Sequence, residues 1–254
     1  MARSSTRAIL VGLGLVVGCG DQGLNVADWT HASVSAPAAP STEPVDAGRS
    51  VPRAAAGFLE IEGSPILPWC AAVLVAPDVV VTAASCLEAA PLWELRFGVG
   101  STEDLADGVG SFEVTEILEH PHVDQPQHAL VALQLAEPVP NVEPATLGGV
   151  ATLGCGFEAI SYRFHLRGDR GARTRWFGCL DRAVDGLRLN AEHGAGDCHG
   201  DDGAGVFDSA RDELVGLVVG DTSRGPCTTQ LQIASVADNA DFFETALDLS
   251  APPA

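Results

Sequence analysis

The chain has 254 residues, of which 46% are hydrophobic. This length and composition allow one large domain or two small barrels that share a core, and they exclude a protein that is disordered throughout. Only 14 residues are basic, all of them arginine, against 34 Asp and Glu, so the formal net charge is −20 at pH 7. Such an acidic chain is not expected to bind nucleic acid, because phosphate groups need Lys and Arg for neutralisation.

The first residues have the three-part pattern of an export signal. Arg3 and Arg7 precede the apolar run Ala8–Gly18, which is too short to span a bilayer but suits a signal-peptide core. The run ends in VVGC, which resembles the bacterial lipobox, in which the cysteine is lipidated and becomes N-terminal. We predict that residues 1–18 are a lipoprotein signal peptide and that Cys19 is lipidated. An ordinary cleaved signal peptide and a buried N-terminal strand are the alternatives.

The segment after Cys19 is poor in large apolar side chains, most clearly over Ser33–Gly57. Such a segment cannot bury a core, so residues 19–56 are predicted to be a lipid-anchored flexible linker and residues 57–254 the folded domain. The protein would be an exported cell-envelope lipoprotein that meets the membrane only through its lipid anchor. Its domain would lie in the periplasm or at the cell surface.

Seven cysteines are present, and an odd number in an exported protein requires an explanation. Lipidation of Cys19 leaves six, which makes three disulfides plausible in an oxidising compartment. The six are Cys70, Cys86, Cys155, Cys179, Cys198 and Cys227. Six cysteines allow 15 pairings. A zinc site is the weaker alternative, because the chain has no CxxC pair and its histidines do not fall at ligand spacing.

Short apolar runs separated by turn residues predict an all-β fold. Two β-branched runs flank Ala76-Pro77-Asp78 and predict a hairpin with a buried face. Further predicted strands are Leu92–Phe97, Phe112–Leu118, Leu130–Leu135, Val150–Leu153, Ile160–Leu166, Leu187–Asn190, Leu214–Val219 and Thr229–Ala234.

A C-terminal amphipathic helix is predicted over about 236–248. Its apolar residues Val236, Ala240, Phe243 and Leu247 recur at helical spacing, and Ser235 or Asp238 is positioned to cap its start.

Four segments, in the same order, resemble the trypsin/chymotrypsin-like serine protease family. CAAVLV…VVTAASC, beginning at Cys70, is similar to the family's C-G-G-x-L-I…L-T-A-A-H-C, and LVALQLAEPV, from Leu130, is similar to its D-I-A-L strand. GDCHGDDGAGVF, from Gly196, is similar to its G-D-S-G-G-P loop, and Leu214–Gly220 with Cys227 is similar to the strand and cysteine that follow.

The resemblance implies two six-stranded antiparallel barrels with a cleft between them and a C-terminal helix. Barrel 1 would occupy about 57–140 and barrel 2 about 141–235. The resemblance also implies the disulfides Cys70–Cys86 and Cys198–Cys227. Cys155 and Cys179 would then pair with each other, in a bridge that departs from the family pattern.

The family's catalytic residue types are absent from all three matching positions. Ser85 occupies the position of the histidine base, Ala129 that of the aspartate and Asp202 that of the nucleophilic serine. The oxyanion donors would be the backbone N–H groups of Gly200 and Asp202, beside the Asp202 carboxylate. The resemblance therefore implies a catalytically degenerate member, because loss of the serine or histidine alone costs about 10⁶ in turnover in such enzymes.

The leading prediction is a catalytically inactive homologue that binds or scaffolds a protein or peptide through the former substrate cleft. The alternative is an active serine-type hydrolase in which Ser85 pairs with His128, and a third reading is an envelope spacer. An arginine-rich segment, Arg163–Arg175, is a second candidate contact surface, unless its arginines pair with the protein's own carboxylates. No cofactor and no metal are expected, and His120–Asp124 is read as a polar loop rather than a metal fragment.

Overall fold

The computed structural model of the chain describes residues 53–62, 70–88, 92–100, 110–163, 172–183, 186–191, 201–221 and 230–250. All of them belong to the compact unit Pro40–Ala254. The predicted signal peptide, Cys19 and nearly all of the predicted linker lie outside these residues. Within the described part of the chain, no helix is long and apolar enough to cross a membrane.

The first barrel is a closed, antiparallel sheet of six strands in the order β1-β2-β3-β6-β5-β4. Its strands are β1 (Ala56–Ile61), β2 (Cys70–Ala76), β3 (Val79–Ala83), β4 (Leu95–Val99), β5 (Ser111–Glu119) and β6 (Leu130–Leu135). Every residue of β2 and β3 is buried, as expected for strands of continuous apolar sequence. Pro77 and Asp78 form the turn between them, which confirms the predicted hairpin.

The second barrel is built from the later strands in the order β11-β8-β9-β10-β13-β12, and it is closed by pairing of β11 with β12. Its strands are β8 (Gly154–Arg163), β9 (Ala172–Ala183), β10 (Gly186–Ala191), β11 (Gly205–Asp208), β12 (Glu213–Asp221) and β13 (Gln230–Ser235). The short strand β7 (Thr146–Leu147) adds to β12 in parallel. Two six-stranded antiparallel barrels are therefore present, as the sequence resemblance implies.

The C-terminal helix α1 spans Ala240–Asp248 and follows a 3-10 turn, Ala237–Asn239. Ser235 Oγ accepts a hydrogen bond from the N–H of Asp238 at 3.1 Å, so the predicted cap lies at the 3-10 turn, whereas no side chain caps the start of α1 itself. The predicted apolar face is wrong in part, because Ala240 is exposed and Leu247 is 38% exposed. The 3-10 turn shifts the helical phase, so that Phe242, Phe243 and Ala246 are buried instead.

Other boundaries also differ from the sequence prediction. Val150–Leu153 is not a strand: Val150 is 77% exposed and Leu153 50% exposed, and of this run only Ala151 packs against the core. A 3-10 turn, Leu92–Glu94, replaces the first half of the predicted strand Leu92–Phe97. Four strands were not predicted: β1, β7, β9 and the four-residue β11.

The beginning of the domain is fastened to the second barrel by Arg53, whose side chain is only 6% exposed. Its Nε donates to Oε2 of buried Glu158 at 2.8 Å, and its guanidinium lies 4.8 Å from the centroid of the Phe207 ring. Arg175 also pairs with Glu158, and Arg173 donates to the Arg53 carbonyl oxygen at 2.8 Å. A buried carboxylate needs such partners, because a buried charge without them is costly.

Candidate functional site

Ser85 lies in a 3-10 turn, Ala84–Leu87, that directly follows β3. The turn is fixed on both sides: Cys86 forms a disulfide with Cys70, and Ala84 N–H donates to the Ala129 carbonyl oxygen at 2.9 Å. The Ser85 side chain is exposed. The fold thus brings the backbones of the first two triad-matching positions together, with the Ser85 hydroxyl facing outward from the turn.

Asp202 lies in the short connection before β11, in the second barrel. Its carbonyl oxygen accepts a hydrogen bond from Ala71 N–H at 2.9 Å, and Gly203 N–H donates to the Val218 carbonyl oxygen at 2.8 Å. The connection is therefore held between β2 of the first barrel and β12 of the second.

The side chains of Ser85 and Asp202 meet across the two barrels. Ser85 Oγ lies 2.8 Å from Asp202 Oδ2, and the hydroxyl donates to the carboxylate. Ser85, at the position of the family's base, is therefore the hydrogen-bond donor, and Asp202, at the position of its nucleophile, is the acceptor. A serine-protease mechanism needs the reverse: an imidazole that takes the proton of a hydroxyl nucleophile.

Glycine is required at position 203, next to Asp202, because strands β2 and β3 lie too close to leave room for a Cβ. Its φ is +81°, and a Cβ placed there would lie 2.0 Å from the Ala71 carbonyl oxygen and 2.3 Å from Thr82 Oγ1. Thr82 Oγ1 itself donates to that carbonyl oxygen at 2.7 Å. Only glycine fits this position without displacing the backbone.

Asp201, next to Asp202, is fully buried and accepts a hydrogen bond from the Ser161 hydroxyl of β8. The matching aspartate of activated family enzymes pairs with a freed N-terminal amine, but no I-V-G-G-like segment directly precedes Phe58, where the chain reads RSVPRAAAGF. Ser161 was not identified from the sequence. Nothing in its neighbourhood marks it, because the two residues are 40 positions apart.

His128 lies beside Ala129 but interacts with the C-terminal part of the chain. Its Nδ1 is 2.6 Å from Asn239 Oδ1. Asn239 Nδ2 donates to the carbonyl oxygens of Gln127 and Ser235, at 3.1 and 2.7 Å, so its Oδ1 must be the atom that faces His128. His128 Nδ1 therefore carries a proton, and Nε2 of the neutral ring is the acceptor. The described contacts of Ser85 and His128 go to different partners.

Two further histidines lie close to the His128 ring. His120 stacks on His128 with centroids 4.8 Å apart and planes 8° apart, and His122 lies within 6.0 Å of both. They border a cavity of about 490 Å³ together with Phe242 of α1. We call this cavity the histidine pocket; its titratable lining residues are Glu119, His120, His122, His128, Asp238 and Asp241.

Burial is the main cause that lowers the pKa of His120, and the neighbouring His128 and His122 lower the pKa further. The folded state therefore disfavours protonation of His120, whereas the unfolded chain protonates it near its ordinary value of 6.5. The stabilising contribution of the neutral ring is complete above that pH and is lost as the pH falls below it.

We expect the His120→Asn variant to lose less free energy of unfolding than the wild type when the pH is lowered from about 7 to about 5.5. The asparagine Oδ1 can still accept the His122 N–H that His120 Nδ1 accepts at 3.0 Å. Urea unfolding at each pH measures the effect. His122→Gln is the control: it removes an exposed ring and should keep most of the wild-type pH dependence. Equal pH dependence in wild type and His120→Asn would contradict the assignment.

Comparison with known proteins agrees with this geometry. The trypsin family model matches residues 46–156. Human heparin binding protein superposes with a TM-score of 0.64 at 17% identity, covering 81% of this chain and 97% of that one. Kallikrein-related peptidase 10 superposes with a TM-score of 0.61 at 18% identity, covering 78% of this chain and 97% of that one. No curated protein sequence matches the chain significantly.

The chain has a trypsin-like fold.

Two of the expected disulfides are present in this trypsin-like domain. Cys70–Cys86 links β2 to the turn that carries Ser85. Cys155–Cys179 joins paired positions of β8 and β9, so the bridge that departs from the family pattern is confirmed. Cys198, Cys227 and the predicted oxyanion residue Gly200 lie outside the described residues. Disulfides are typical of exported proteins.

The arginine-rich segment is only partly described, since residues 164–171 lie outside the described ranges. Arg175 pairs with Glu158, and Arg173 donates to the Arg53 carbonyl oxygen. Arg175 therefore pairs with one of the protein's own carboxylates, as the second interpretation of the segment held, whereas the contact of Arg173 is with a backbone carbonyl.

Proposed function

We propose that this trypsin-like protein does not cleave peptide bonds and acts as an exported binding or scaffolding protein through the former substrate cleft. The observation that carries the proposal is the 2.8 Å hydrogen bond from Ser85 to Asp202. It occupies the positions where the family holds its base and nucleophile.

The Ser85–Asp202 pair is poorly suited to amide hydrolysis. Activation of a hydroxyl needs a base whose pKa lies near the working pH, which imidazole supplies and an ordinary carboxylate does not. Attack by Asp202 itself would form an anhydride, with no positioned acid for the leaving nitrogen. The carboxylate also places negative charge where a tetrahedral intermediate would develop its own, which opposes oxyanion stabilisation.

The charge of the chain bears on what the protein binds. Heparin is a polyanion, and the name of the human heparin binding protein says that this structural neighbour binds it. A chain with a net charge of −20 would repel such a ligand. The proposed partner is therefore a protein or peptide rather than a polyanion.

Export through a lipidated Cys19 is part of the same proposal. The VVGC sequence and the apolar run before it support it, and the two disulfides fit an oxidising compartment. Mass spectrometry of the mature N-terminus tests it: an acylated Cys19 is expected, whereas an N-terminus at another residue or an unmodified Cys19 would rule it out.

The experiment for the missing activity uses the purified chain with casein, peptide libraries and a fluorophosphonate probe. We expect neither hydrolysis nor labelling between about pH 6 and about pH 9, with trypsin as the positive control. Labelling that disappears in Ser85→Ala would instead establish the Ser85-based hydrolase. Hydrolysis that disappears in Asp202→Ala would also overturn the proposal.

A further inference from the structure

Neither Ser85 nor Asp202 lines the histidine pocket. The pocket is lined by the end of β5 and the residues that follow it, by His128, and by residues of the 3-10 turn Ala237–Asn239 and of α1. Its volume of about 490 Å³ falls in the range of small-molecule sites. A ligand bound there would not need to contact the Ser85–Asp202 pair.

The pocket has the electrostatics of a cation site. Glu119, Asp238 and Asp241 line it and are exposed, and no arginine is among its described lining residues. The lowered pKa of His120 keeps that ring neutral at pH 7. The walls therefore combine exposed carboxylates with the neutral His120 ring.

The hydrogen bonds of His120 and His128 determine which of their ring nitrogens can accept a hydrogen bond from a ligand. Asn239 holds the proton on His128 Nδ1, so Nε2 of His128 is an acceptor. His120 Nδ1 accepts the N–H of His122 at 3.0 Å, so the proton of the neutral His120 ring is on Nε2.

These tautomers oppose a shared metal ion. A metal ligand needs an unprotonated nitrogen, and His120 offers none in its present hydrogen bonding. The parallel stacking of His120 on His128 also prevents both rings from pointing at one ion. Among the described residues, no three His, Cys, Asp or Glu side chains are grouped so that they could hold a metal.

We propose that the histidine pocket binds a guanidinium group. A guanidinium is a planar cation with several N–H donors, which match two carboxylates and the His128 Nε2 acceptor. Its flat face can also stack on the aromatic wall formed by Phe242 and the paired imidazoles. In this wall, the ring centroids of Phe242 and His120 lie 5.2 Å apart. An ammonium ion has the charge but not the planar shape.

Two sources can supply this group: a free guanidinium compound, or an arginine side chain on a peptide. Nα-acetyl-arginine methylamide and a five-residue glycine peptide with a central arginine are the two probes. Equal affinities indicate that the side chain alone is recognised, and tighter binding of the peptide indicates a protein partner. Both results support the site.

The test is isothermal titration calorimetry of the full chain with these probes, compared with the citrulline analogues. Citrulline has nearly the shape of arginine but no charge, so its analogues are expected not to bind. The double variant Asp238→Asn/Asp241→Asn should weaken binding about tenfold, because each exposed charge contributes up to about a factor of five.

A matched control is available on the same helix. Glu244→Gln/Asp248→Asn removes the same charge from exposed residues that do not line the pocket, so it should leave the affinity within about twofold. Equal weakening by both double variants would show that only net charge matters and would overturn the site. Binding of the citrulline analogues, or of Ni²⁺ in place of the arginine probes, would also overturn it.

Binding should weaken as the pH falls well below 6.5, because protonation of His120, whose pKa is lowered by burial, places positive charge beside the guanidinium. An affinity that rises at low pH would contradict the proposal. Ser85→Ala changes no lining residue of the pocket and adds no charge, so this variant should bind the probe as the wild type does.

Discussion

The triple variant Ser85→His, Ala129→Asp, Asp202→Ser is expected to become a serine hydrolase. Ser85 Oγ and Asp202 Oδ2 lie 2.8 Å apart, so side chains at these positions reach each other. The Ala129 carbonyl oxygen accepts from Ala84 N–H, which places position 129 beside the turn that would carry the new base. The three positions therefore keep the proximity that a triad needs.

The size of the gain follows from what a triad contributes. A complete triad supplies about 10⁶ in turnover, and an error of about 1 Å in position can remove about 10². We expect the triple variant to hydrolyse an activated ester at least about 10³-fold faster than the wild type, and to be labelled by a fluorophosphonate. Stopped-flow hydrolysis and gel fluorescence measure the two effects.

The double variant Ala129→Asp, Asp202→Ser is the matched control, because it has the nucleophile but keeps Ser85 in place of the base. Its rate of ester hydrolysis should remain close to that of the wild type. A folded triple variant without labelling would show that the scaffold around the site is altered as well as its chemistry. That result would contradict the view that only the reacting side chains were lost.

Gly203→Ala is expected to destabilise the domain by at least about 4 kcal/mol or to prevent folding. The added Cβ would lie 2.0 Å from the Ala71 carbonyl oxygen, which is backbone and cannot rotate away. The φ of +81° adds a further cost for any residue with a Cβ. Both strain sources act where the two barrels are joined by the hydrogen bond from Ala71 to Asp202.

Denaturant unfolding of both proteins measures this loss. Gly149→Ala is the control, because no atom lies within 4 Å of the Cβ that it would add. Its stability should stay within about 0.5 kcal/mol of the wild type. If Gly203→Ala unfolds at the same denaturant concentration as the control, the backbone around residue 203 must be able to move enough to accommodate a Cβ, which would contradict the prediction.

The strands that the sequence predicted well include those buried on both faces. The β2–β3 hairpin and β6 are continuous apolar runs bounded by turn residues, and such runs have few alternative structures. The four-residue β11, GVFD, was missed because it is too short to show a periodic pattern and it forms by pairing with β8 and β12. The prediction for Val150–Leu153 was wrong for the opposite reason: Val150 and Leu153 are apolar, but the fold leaves both exposed.

The identities of the residues at the three triad-matching positions were available from the sequence alone, because short motifs around Ser85, Ala129 and Asp202 fix their places along the chain. The contacts that these residues make in three dimensions were not available from the sequence. The Ser85–Asp202 hydrogen bond joins residues 117 positions apart.

The residues that form the histidine pocket are also far apart in the sequence. The sequence showed His120, His122 and His128 as part of a polar loop, but Asn239, which orients His128, comes 111 residues later. Local side-chain patterns determine strands, turns and the order of motifs, since these depend on neighbours in sequence. Contacts between distant residues exist only after both barrels have closed and the C-terminal helix has packed, so the tertiary structure alone decides them.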